Sequence, residues 1–435
     1  MIGRRRTRRA AAVIAASLLA GSIGLLAGCS TLGEGGQGSH SGTADQSTTA
    51  EADATSPVPA AELLAAQYDY AGAKKLLAHD SSEAATQALA DIEREQELLQ
   101  PWPDTTQVSH LFYHSLIVDP ARAFAEGEPR RVGYAQYMVT IGEFRAQIEQ
   151  IYQRGYVLVH PQRLVTKDAA GTLRRAKLLL PPGKTPLVLS VDDVNYYEYM
   201  TDSGFATNLT VVNGRVTNTY RDAMGGDHLG SYDVPTILDD FVREHPDFSF
   251  RGDKGILAVT GYNGVLGYRS SIRTYGDTPH TRAQGQQAKL VADALKADGW
   301  QFASHTWGHI DLTTASLSRI QADAQRWDRE VRPIVGATDE LVYPFGADIS
   351  GMAEYTADNE KFAFLNGHEG FEYFFPIDAS TAAWSQLTRN SWRQARINVD
   401  GITMQRELDG HTTPLENFFT TTDIIDPERP LPLPK

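Results

Sequence analysis

From Gln107 onward, apolar runs two to five residues long alternate with stretches whose apolar positions recur at helical spacing. Leu111–Ser115 and Tyr156–His160 read as strands. Between them Phe144, Ile148 and Ile151 mark one face of an amphipathic helix that Gly155 closes. Leu187–Val191 and Gly255–Thr260 are further strands. A helix carrying Leu290, Val291 and Leu295 stops at Gly299, and Trp300–Ser304 follows as a strand. Leu317, Ile320, Ala324, Trp327 and Val331 mark another helix, ended by Pro333, before a strand at Glu340–Tyr343. This alternation predicts an α/β fold with a parallel sheet or barrel, whose site lies at the C-terminal ends of the strands. Residues 203–273 read as a long insertion within it. Upstream, Ala60–Leu99 reads as two helices broken at His79–Ser82, with Ala71–Leu77 similar to one tetratricopeptide-type hairpin. One hairpin cannot bury its own apolar face, so it is expected to pack on the following domain or on a protein partner.

The chemistry sits at two strand ends. His305 and His309 are four apart in Ser304-His305-Thr306-Trp307-Gly308-His309, and Leu187–Val191 runs into Asp192-Asp193. Two imidazoles on one face plus a carboxylate from elsewhere form a donor set for a divalent metal, and the second aspartate is a candidate base.

These segments resemble polysaccharide deacetylases of the nodulation-protein type, carbohydrate esterase family four. That family's first motif, roughly T-F-D-D-G, is matched by Ser190-Val191-Asp192-Asp193-Val194. Its second, H-S/T-x-x-H, is matched by His305–His309, with Thr306 in the hydroxyl position. Its third, R-P-P-Y/F-G, is matched loosely by Val342-Tyr343-Pro344-Phe345-Gly346. Leu111-Phe112-Tyr113-His114-Ser115 looks like the strand that opens many secreted members. The likeness spans about residues 107–405 and implies an irregular (β/α) barrel over 106–435. Three departures stand out. Val194 replaces a glycine, Val342 replaces the arginine that orients the base, and the family's late catalytic histidine has no clear match. Arg393 and Arg396 are the candidates to replace the arginine, and Arg396 is preferred; His411 is the choice for the acid.

On this reading Asp193, His305 and His309 hold one divalent ion. Zinc is the default, and cobalt, nickel or manganese suit the same donors. Asp192 takes a proton from water, and the backbone N–H of Phe345 meets the oxyanion. Tyr343 and Pro344 contact substrate. The glycine-rich stretch Gly261–Tyr268 has no basic residue placed to cradle phosphate, so Tyr262 and Tyr268 are expected to stack on sugar rings. The resemblance implies a metal-dependent N-deacetylase acting on peptidoglycan or an N-acetylglucosamine polymer. An O-acetyl esterase shares the chemistry. The alternative is a catalytically weak or inactive glycan-binding protein that keeps the fold and the metal but lacks the arginine.

The ends of the chain set the compartment. Arg4, Arg5, Arg6, Arg8 and Arg9 precede an uncharged apolar run ending Leu26-Ala27-Gly28-Cys29, which resembles a lipoprotein signal peptide over 1–28. Cys29, the only cysteine, is the expected lipidation site, which anchors the chain to the bacterial membrane on its outer side. Residues 29–58 read as a flexible tether and 59–105 as the hairpin. Formal charge is −14; removing 1–28 leaves 35 basic against 54 acidic side chains, or −19. Such a surface excludes nucleic acid as a partner and suits an acetylated neutral glycan.

Overall fold

The computed structural model describes residues 56–435. The expectations for the leader, for Cys29 and for nearly all of the tether lie outside them. Among the described residues, no helix is long and apolar enough to cross a membrane.

The protein is a mixed α/β structure built on a curled half-barrel sheet. In spatial order the strands are Ser385–Leu387, Trp392–Gln394, Tyr373–Phe375, Glu340–Val342, Trp300–Ser304, Gly255–Val259, Thr185–Val191, Ser109–Tyr113 and Ile397–Asn398. Only the first pair is antiparallel; every other neighbouring pair is parallel. Tyr156–Leu158 pairs with the early part of Thr185–Val191. Trp392–Gln394 stands next to one end of this order and Ile397–Asn398 at the other, yet they are two pieces of one run, 392–398. That run carries the chain from one end of the curl to the other, and Arg396 lies within it.

Parallel strands covered on both faces read as continuous apolar runs, and Leu187–Val191 is one. The two-residue period of the strands divides their side chains between two cores. Leu187, Leu189, Val191, Leu257 and Val259 face the helices Ile141–Gln153, Val234–Glu244 and Pro279–Ala297. Val188, Ile256, Ala258, Ala303 and Val342 belong to the other cluster, on the opposite face. The first of those helices shows how local sequence sets the element. Thr140 and Glu143 form a capping box. Phe144, Ile148 and Ile151 are its buried stripe, each stabilising the fold by about 1.5–3 kcal/mol. Gly299 ends the helix Pro279–Ala297 at φ 94°, where a β-carbon would collide with the carbonyl of Gly252.

Two expectations need correction. The segment read as two helices forms three: Val58–Ala66, Tyr70–Leu77 and Glu83–Glu97. The unforeseen break is at Tyr68, with φ 66°, and Asp69 caps the second helix. Their apolar faces pack in that second core of this same chain, so that burial needs no partner. The supposed insertion also shrinks. Gly255–Val259 is a central strand and Val234–Glu244 a covering helix. What is added to the strand–helix alternation is the antiparallel ribbon Ala206–Val212, Arg215–Arg221 and Asp227–Gly230.

The C-terminal residues fold back over the helix Arg131–Tyr137. Arg429 is buried against Glu143 at 2.5 Å, and it donates to the carbonyls of Ala135 and Met138.

Candidate metal centre and active site

The strand ends deliver the motif residues to one place. Asp192 and Asp193 follow Thr185–Val191, and His305 follows Trp300–Ser304. The histidines do not lie on a helical turn. They sit in a loop with Thr306 at φ 59° and His309 at φ 49°. The buried carboxylate of Asp323, on the helix Leu317–Glu330, accepts the N–H groups of Trp307 at 2.6 Å and Gly308 at 2.9 Å and holds this loop. The turn after the aspartates also resolves without the family's glycine. Asp193 itself takes the left-handed conformation, at φ 59°, so Val194 does not need it. Asn195 then ties the turn to the end of the neighbouring strand, donating to the carbonyl of Thr260 and accepting its N–H.

One ligand atom from each of Asp193, His305 and His309 lies within 4.8 Å of the others. His309 Nε2 is 3.9 Å from Asp193 Oδ2. His305 Nδ1 is 2.9 Å from the carbonyl oxygen of Val342. A carbonyl only accepts, so Nδ1 carries the proton and Nε2 keeps its lone pair. Burial lowers the pKa of His305 against the pull of Asp192 and Asp193, which favours the neutral ring. Two nitrogens and a carboxylate oxygen, one imidazole fixed by a backbone acceptor, fit a divalent ion such as zinc.

Asp192 is buried beside this group, with Oδ2 3.9 Å from His305 Nε2. Its Oδ1 accepts from Arg396 Nη1 at 2.6 Å. Burial pushes its pKa up, but Arg396, His305 and His114 outweigh that and hold it below the usual carboxylate value. Arg396 is fully buried, donates from Nε to the carbonyl of Phe375, and stacks 4.3 Å from the ring centre of Phe112. It therefore occupies the place beside the candidate base that Val342 cannot fill. Arg393 serves elsewhere. It binds Asp348 at 3.1 Å and the carbonyls of Gly351 and Ala353, holding their loop.

A cavity of about 740 Å³ opens over the group. Its floor is Asp192, Asp193, His305 and His309. Its walls include His114, Phe345, Tyr199, and Arg130, Tyr134 and Tyr137 from the helix Arg131–Tyr137 and its N-terminal flank. Phe345 is 68% exposed at the rim, its ring 4.5 Å from that of His309.

Several of the expected site residues do not line this cavity. Tyr343 is fully buried and its hydroxyl meets that of Tyr355 at 2.5 Å, while Pro344 is buried; neither lines the cavity. Tyr268 closes a turn with Val265 and packs on the core. Tyr262 stacks on Tyr197 at 5.2 Å and does not line the cavity. His411 is exposed in the turn after the helix Gly401–Leu408, also away from the cavity. Besides the two histidines of the centre, His114 reaches it, close enough to Asp192 and Asp400 to favour both carboxylates. Sequence reading singled out the motif around His114 without giving the residue a role.

No curated protein matches the chain. Among solved structures, the Streptococcus pyogenes deacetylase PplD in complex with acetate is similar at 15% identity, covering 70% of this chain and 98% of that one, with a TM-score of 0.36. That likeness is too loose to place single residues. Residues 277–360 match the family model for polysaccharide deacetylase, a stretch that contains both histidines of the centre and Phe345. That segment is where the chain is similar to the polysaccharide deacetylases.

Proposed function

We propose that this protein is a metal-dependent hydrolase that removes acetyl groups from an N-acetylated envelope or extracellular polysaccharide. The observation that carries this reading is the convergence of Asp193, His305 and His309, with Asp192 held beside them by a buried arginine. Asp193, His305 and His309 are the proposed ligands of one divalent ion, zinc by its donor set. When bound, such an ion polarises an acyl carbonyl and lowers the pKa of water toward about 7. The chain supplies the rest. Asp192 accepts the proton of the attacking water, and Arg396 fixes that carboxylate. The backbone N–H of Phe345 faces the developing oxyanion. His114 protonates the leaving nitrogen in place of His411. Tyr137, Tyr199 and Phe345, all partly exposed at the cavity, offer apolar ring faces to sugars.

The inactive-binder reading rested on a missing arginine. Arg396 beside Asp192 supports the active reading. The choice of an envelope polymer, peptidoglycan or an N-acetylglucosamine chain, rests on the leader and Cys29 read from the sequence. Cell fractionation tests it, and finding the protein in the cytosol would remove the reason for that substrate class.

The central test pairs metal analysis with acetate release from N-acetylglucosamine oligomers. Wild type is expected to hold one ion per chain, and Asp193→Ala and His305→Ala to lose both the ion and the activity. A metal-replete wild type that releases no acetate from any N- or O-acetylated glycan would overturn the hydrolase reading; release from O-acetyl substrates alone would make it an esterase. A second test separates the two histidines. His114→Asn is expected to lower kcat by about 10²-fold or more, and His411→Asn to leave it unchanged. The opposite ranking would restore His411.

A further inference from the structure

The centre has a support that none of the motifs describes. Tyr197, four residues after Asp193, is 3% exposed, and its hydroxyl lies 2.6 Å from Asp193 Oδ1. An ionised carboxylate only accepts, so the phenol donates. The same phenol oxygen is 2.9 Å from Thr260 Oγ1. With its own proton given to Asp193, it accepts from the threonine. The result is a directed chain, Thr260 to Tyr197 to Asp193, that starts at the end of the strand Gly255–Val259. The Tyr197 ring is held on both sides, by Tyr199 at 5.3 Å and Tyr262 at 5.2 Å, with interplanar angles of 11° and 17°. The hydroxyl therefore cannot swing away from the carboxylate.

We propose that Tyr197 is a positioning residue of the metal centre, fixing Asp193 Oδ1 so that Oδ2 alone is presented beside His309. This rests on the metal reading above. A carboxylate turns easily about its last torsion, which is broad and two-fold. Left free, Asp193 would face the ion with either oxygen or with both. The donated hydrogen bond occupies one oxygen, and a 2.6 Å O–H···O⁻ contact is in the strong, charge-assisted range. Asp193 thus enters the site in one orientation, and the cost of ordering it is met during folding. The role of Tyr262 follows: it packs behind this clamp and does not touch sugar.

Tyr197→Phe removes one oxygen and keeps the three-ring stack. Measured on the full chain by competition with a chelator, its zinc dissociation constant is expected to rise about 10- to 100-fold, the usual effect of losing a hydrogen-bond partner of a metal ligand. With zinc in excess, acetate release should recover with KM unchanged, while the thermal midpoint of the zinc-free chain falls modestly, as for any lost buried hydrogen bond. A purely structural tyrosine would lower the midpoint too but leave zinc affinity alone. Zinc binding by Tyr197→Phe as tight as wild type would overturn the proposal and leave the metal site standing. Failure of wild type to bind zinc would overturn both. If Tyr197→Phe does not fold, Thr260→Val breaks the next link. A smaller loss of zinc affinity in the same direction supports the chain, and unchanged affinity overturns it.

Discussion

Asp192→Asn should lower kcat for acetate release by about 10²- to 10⁴-fold while the bound metal stays in place. The side chain is not among the three converging ligands. It sits next to them, buried, with one oxygen on Arg396. Asparagine keeps the shape and can still accept from Arg396, but it cannot take a proton from water. The effect should fall on kcat and leave KM nearly unchanged, as expected for an interaction made only in the transition state. Acetate release at saturating zinc, with zinc content measured on the same sample, checks it. A rate within a factor of ten of wild type would show that the base lies elsewhere.

Arg396→Met should have the largest effect on stability, about 3–5 kcal/mol, because it leaves the Asp192 carboxylate buried without its counter-charge. The ionised form of Asp192 is held below its ordinary pKa largely by this arginine against the penalty of burial. Without it the carboxylate either stays charged at high cost or takes up a proton and ceases to be a base. Chemical denaturation measures the loss. The double variant Asp192→Asn, Arg396→Met removes both charges, so it should regain most of the stability and none of the activity. Such non-additivity is the signature of a coupled pair. If the double variant is as unstable as Arg396→Met alone, the arginine acts through packing and not through Asp192.

The strand–helix alternation and the candidate ligand pair His305 and His309 were legible because both are local. Leu187–Val191 announces a buried strand by composition, and His305 and His309 lie four apart. What lay outside local reading was direction and long-range pairing. Tyr343, Tyr262 and Tyr268 stand in the right loops, yet their rings turn inward or onto other rings, and nothing in a loop sequence states side-chain direction. Val194 looked like a defect because the family places glycine there; the left-handed residue is Asp193. His411 was chosen for lying late in the chain. His114, which reaches the cavity, follows the strand Ser109–Tyr113, and only the parallel pairing of that strand with Thr185–Val191 brings it there. Arg396 was named, but which of two arginines meets Asp192 depends on how the run 392–398 crosses the curl. The break at Tyr68 carries no glycine or proline to mark it.

The run 392–398 also orders events in time. Asp192 and Arg396 are 204 residues apart, and the clasp of Arg429 on Glu143 spans 286. A ribosome delivers the aspartates and both histidines of the centre long before either arginine. Until the last tenth of the chain emerges, the strand Ser109–Tyr113 has an open edge, the candidate base has no counter-ion, and the cavity wall carrying Tyr134 and Tyr137 is not tied down. Contacts so distant in sequence form late and slowly. Asp192 therefore gains its buried counter-charge only when the run 392–398 has been made, so the completed candidate site depends on residues from the last tenth of the chain.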